Sequence, residues 1–160
     1  MSKLATNSTG LRKSGRVAGL ALAEMTLRLM ENWRVGMPDN DSALIGAAVV
    51  AINVGRFSRG RFEPGLKNLA HEFPPEKLTF CNVASIAAAT GLNRETTRRK
   101  VRRMIDLGFI VREADGNLRF DTDTVGTERM HAVLESQLEV LRRAATDLLE
   151  EGIFEIDRPG

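Results

Sequence analysis

Apolar residues return along this chain at helical spacing over most of its length, and alternate with polar ones in a single short stretch. From Arg16 to Trp33, the residues Val17, Leu20, Ala21, Leu27 and Met30 mark a long amphipathic helix that Gly36 and Pro38 end. Asp41 or Ser42 is placed to cap the next helix, Ala43 to Val54, which is almost wholly apolar and weakened only by Gly46. Such a helix belongs at the centre of a core. Leu66, Leu69, Ala70 and Phe73 predict a short helical segment that Pro74-Pro75 halts, and Leu78-Thr79-Phe80 a short strand. Val83 to Thr90 reads as a short helix with Val83, Ile86, Ala87 and Thr90 inward, broken at Gly91. Asn93 caps a second helix over 93–107, on which Thr97, Val101, Met104 and Ile105 fall in one narrow sector. Two alternating runs joined at Asp115-Gly116 predict a hairpin over 109–121. Last comes a helix over 127–151, stopped by Gly152. Its Met130, Leu134, Leu138, Leu141, Ala145 and Leu148 recur at spacings of four, four, three, four and three, close to a heptad seam.

The predicted class is therefore mainly α with a small β-hairpin (α+β). Residues 1–15 are polar and free of acids, and read as a flexible basic tail. Residues 16–160 read as one domain: helices over 16–77, a helix-turn-helix and hairpin over 78–121, and the terminal helix over 127–151. The hydrophobic share of 42% excludes wholesale disorder. No window approaches the roughly 18 to 20 apolar residues a membrane span needs, so no membrane partner is expected. One cysteine, Cys81, rules out an intrachain disulfide and suits a reducing, cytoplasmic setting.

Charge is nearly balanced overall, at +2, but it is unevenly placed. Between Arg94 and Arg103, six bases (Arg94, Arg98, Arg99, Lys100, Arg102, Arg103) stand against Glu95, a net +5 in ten residues. Basic runs are often only a solvated face. Here the acids for ordinary i,i+4 pairs are missing, and the uncompensated repulsion points to a polyanionic partner, double-stranded DNA. From Thr127 to Asp157 eight acids face three bases, a net −5, so the terminal helix suits protein rather than phosphate. Its seam, Met130, Leu134, Leu138, Leu141 and Leu148, is the expected contact of a homodimer, with intrachain packing as the alternative.

The run T-G-L-N-R-E-T-T-R-R-K-V-R-R-M, followed by L-G-F-I and a hairpin, resembles the DNA-binding core of bacterial winged helix-turn-helix regulators. The start N-R-E-T-T looks like that of the Crp family, and the chain layout looks like the MarR family. Thr97 and Lys100 depart from that pattern, standing where aliphatic or small residues are usual. The resemblance implies a transcriptional regulator, dimeric through its terminal helices, with 93–107 as recognition helix in the major groove and 109–121 as wing. Asn93, Arg94, Glu95, Thr96, Arg98 and Arg99 are then placed to reach base edges, and Arg102 and Arg103 to bind phosphate. Arg112 and Arg119 flank the hairpin turn, and Arg56, Arg59 and Arg61 extend the positive surface. The rival readings are a replication or partition-type DNA-binding module and a winged-helix protein-interaction adaptor.

Other chemistry finds no support in the residues. His71 and His131 belong to no ligand cluster, so no metal is expected. G-R-F-S-R-G-R-F lacks the Lys-Ser/Thr of a phosphate loop, and no Ser-His-Asp or paired-carboxylate arrangement stands out. The chain does not read as an enzyme, and no cofactor or small-molecule effector is indicated. Cys81 reads as a core residue rather than a redox sensor.

Overall fold

The computed structural model describes residues 3–57, 63–68, 73–122 and 127–157. In chain order the elements are β1 (Lys3–Thr6), α1 (Ser8–Arg34), α2 (Asn40–Val54), α3 (Val83–Thr90), α4 (Arg94–Asp106), β2 (Ile110–Arg112), β3 (Leu118–Phe120), α5 (Thr127–Glu150) and β4 (Phe154–Asp157). The protein is mainly helical, with two small antiparallel sheets, β1-β4 and β2-β3. Among the described residues no helix is long and apolar enough to cross a membrane. The chain forms two compact units, residues 33–132 and residues 1–32 with 133–160, where the pattern predicted a single domain.

The unit over 33–132 is built on α2. Ile45 and Val49 of α2 are fully buried with Ile86 of α3, Val101 and Met104 of α4, Ile110 of β2, Leu118 of β3 and Cys81. Gly46 lets this packing close up: a Cβ there would stand 3.3 Å from the Met37 methyl and 3.5 Å from that of Met104. The cap of α2 is Asp39, not Asp41 or Ser42 as expected. Its Oδ1 accepts from Ser42 N at 2.9 Å and Ser42 Oγ at 3.0 Å, so Ser42 supplies donors from inside the first turn.

Polar ties hold the far end of α2. Asn53 is fully buried; its Nδ2 donates to Thr79 O at 2.8 Å and its Oδ1 accepts from Phe120 N at 2.9 Å. The strand expected over 78–80 is absent. Pairing begins one residue later, where Cys81 bridges Leu118, because Asn53 already occupies the Thr79 carbonyl. Of the segment expected to be helical around Leu66 to Phe73, the described part holds a 3-10 turn at Pro64–Lys67, and Leu69, Ala70 and His71 lie outside the described residues. In the hairpin, Ile110 pairs with Phe120 and Arg112 with Leu118. Gly116 takes the left-handed conformation (φ 84°) that its tight turn requires, where Asp115-Gly116 predicted it.

In the second unit the expected tail is ordered structure. Residues 3–6 pair with 154–157, Leu4 opposite Ile156. Asn7 Oδ1 then caps α1, accepting from Thr9 N at 2.9 Å and Gly10 N at 3.2 Å. Only glycine fits at position 10, since a Cβ there would stand 2.0 Å from Gly152 O. The apolar side chains of α1 are unevenly used. Ala18 and Ala21 are buried, whereas Val17, Leu20 and Leu27 of the predicted stripe are exposed. Leu148 and Ile153 join Ala18 in a small core.

Candidate nucleic-acid interface

Two capping devices set α3 and α4 beside each other within the unit over 33–132. Asn82 and Ser85 form a reciprocal capping box at the start of α3, and Gly91 ends it in the left-handed conformation (φ 71°). Two residues later Asn93 Oδ1 accepts from Glu95 N at 2.8 Å and starts α4. Thr97, Val101 and Met104 are fully buried, so they fix which face of α4 turns inward. Thr97, an unusual residue at a core position, satisfies its hydroxyl by donating to Asn93 O at 3.0 Å.

That inward face leaves Arg94, Glu95, Arg98, Arg99, Arg102 and Arg103 exposed, as the helical spacing predicted, while Thr96 is half-buried. Arg94, Arg98 and Arg102 line a cleft of about 870 Å³ together with Arg112 of β2 and the apolar Val83 and Ile105. Helix and hairpin thus present cations to one space. Among the described residues, Arg94, Arg99, Arg102, Arg103 and Arg112 form no ion pair.

Three charges of this region are not free, against expectation. Arg98 grips Glu95 with Nη2–Oε1 at 2.6 Å and Nε–Oε2 at 2.9 Å. The Arg98 hydrogen bonds, with the fields of Arg98, Arg99 and Arg102, hold the Glu95 carboxyl below the usual range. Lys100 turns away from the exposed face and donates to Asp39 Oδ2. That bond, with those from Ser42, holds the Asp39 carboxyl at about 2. Arg119, expected at phosphate, is half-buried: its Nε donates to Glu113 Oε1 at 2.6 Å and its Nη1 to Phe120 O at 3.2 Å. Among the described residues, the hairpin arginine left without an ion pair is Arg112. The three acids stand 3, 61 and 6 residues from these cations, so none of the partnerships follows from i,i+4 spacing.

The expected seam on α5 is divided. Leu134, Leu138 and Leu141 are exposed, at 36%, 62% and 52%, and Met130 is half-buried. Leu148 is buried within its own unit and is not available to a second subunit. Arg56 is exposed and stacks over Phe57, with its guanidinium carbon 4.8 Å from the ring centroid; Arg59 and Arg61 lie outside the described residues. Burial pushes the Cys81 thiol up to about 11, so the thiolate needed for redox sensing is disfavoured. Among the described residues no cluster of ligating side chains could hold a metal. No family model, curated protein or solved structure matches the chain.

Proposed function

We propose that the protein is a sequence-specific DNA-binding regulator of the winged helix-turn-helix kind, acting as a homodimer. Helix α4 enters the major groove and the β2-β3 hairpin is the wing. The observation that carries this reading is the exposed row Arg94, Arg99, Arg102 and Arg103 on a helix whose opposite face is locked into a core. Such a row is costly for a free protein and suited to phosphate and guanine. Arg94 and Arg99, near the start of α4, reach base edges; Arg102, Arg103 and Arg112 bind phosphate and fix register. Exposed leucines on α5 meet those of a second copy. Selection of bound duplexes from a random pool tests the proposal. Inverted half-sites spaced about 10 base pairs centre to centre support it. Recovery of no enriched sequence, or of a single unrepeated half-site, contradicts it.

A further inference from the structure

Of the five exposed arginines on α4, Arg94, Arg98, Arg99, Arg102 and Arg103, Arg98 alone has a carboxylate partner among the described residues. The contact is a two-bond fork, at 2.6 Å and 2.9 Å, between residues three apart on the face offered to DNA. Resting on the DNA-binding reading above, we propose that Glu95 and Arg98 form one specificity-determining pair. Glu95 withholds Arg98 from phosphate on non-cognate DNA, and the two separate only onto a C·G base pair.

The chemistry of the two targets differs in a way this pair detects. A phosphate offers acceptors only. Drawing Arg98 onto it breaks two charge-assisted bonds and leaves the Glu95 carboxylate beside a second anion. The major-groove edge of a C·G pair offers acceptors and a donor side by side: guanine O6 and N7 take the guanidinium, and cytosine N4 donates to the carboxylate. Both side chains exchange a partner for a partner. Glu95 is fit for this acceptor role because Arg98, Arg99 and Arg102 keep it ionised. The exposed setting makes the pair easy to open, since solvent screens it. It acts as a selective brake rather than as a fixed strut, in contrast to the more buried Lys100–Asp39 pair.

Salt titration of binding to random-sequence duplex DNA tests this with Glu95→Gln, Arg98→Ala and the double variant. All three leave the inward residues Thr97, Val101 and Met104 untouched. Arg98→Ala alone should leave the log–log salt slope unchanged, because Arg98 is not on phosphate. Glu95→Gln should steepen it by about 0.9 per chain as Arg98 is released, with a severalfold gain in random-DNA affinity. The double variant should return to the starting slope. On a selected site Glu95→Gln should lose preference for C·G at one position of each half-site. A slope made shallower by Arg98→Ala alone, or unmoved by Glu95→Gln, overturns the pairing proposal. Arg102→Ala serves as the separate check: if it also leaves the slope unmoved, the DNA-binding reading itself fails.

Discussion

Truncating Asn53 to alanine should cost more than its modest side-chain size implies. The amide is fully buried, and it joins the end of α2 to two other segments: Thr79 through Nδ2 at 2.8 Å, and β3 through the Phe120 N–H at 2.9 Å. Losing the acceptor strands the Phe120 N–H, a penalty of about 1–3 kcal/mol for a buried donor. The Thr79 carbonyl belongs to an exposed residue and regains water, so its loss adds little. A void the size of the lost amide adds about 1 kcal/mol. The sum, about 2–4 kcal/mol, is a large fraction of a domain's usual stability. Urea unfolding should therefore show a midpoint lowered by about 1–2 M at unchanged m-value. Amide exchange should locate the damage, with protection lost first at Phe120. Asn53→Leu is the decisive companion, since it restores volume but no hydrogen bonds. It should be nearly as unstable as the alanine variant. Rescue by leucine, or a loss below about 1 kcal/mol for alanine, refutes the claim that the amide ties the hairpin to α2.

Asp39→Asn should flatten the acid dependence of stability. The native carboxyl titrates at about 2 rather than 3.8, so its contribution is complete above about pH 4 and is lost as pH falls from 4 to 2. Asp39 is a third exposed, and solvent screening brings the effect to about 1–2 kcal/mol. Urea midpoints measured across that window check this, and parallel curves for both proteins contradict it. Leu138→Glu, at a position 62% exposed in the single chain, should turn a dimer into a folded monomer in sedimentation at micromolar concentration, because the carboxylate would be buried unpaired at the seam. An unmodified protein that sediments as a monomer removes the premise. Arg99→Ala should cost about 1–3 kcal/mol at its selected site and relax base preference, while Arg103→Ala should weaken all sequences alike. Equal losses on selected and random duplexes for both variants contradict that division.

The central helices were legible because their determinants are local. Gly91, Asn93 and the sector Thr97, Val101, Met104 lie within a dozen or so residues, and capping and burial followed the pattern directly. The hairpin was found for the same reason, through Asp115-Gly116. Pairings between distant segments were not legible. Nothing local in Lys3–Thr6 announces that its partner is Phe154–Asp157, so by itself the strand reads as a tail. Likewise nothing local marks Asn53 within its apolar helix, since its partners lie 26 and 67 residues away. On the candidate interface the error concerned charges. Arg119 and Lys100 counted as free cations, but Glu113 and Asp39 reach them across the fold. Leu148 fits the heptad by spacing, but Ala18, far back in the chain, and the nearby Ile153 claim it for the core of its own unit.

Those neutralised charges set the number that tests dimeric DNA binding most directly, the salt slope on a selected duplex. With Arg119 committed to Glu113, each chain offers Arg102, Arg103 and Arg112 to phosphate, and two chains offer about six contacts. At about −0.9 per contact, the logarithm of the binding constant should fall against the logarithm of salt with a slope near −5. A slope of about −3 or shallower, the value one chain's three contacts would give, or binding indifferent to salt, contradicts a dimer docked through α4 and the hairpin.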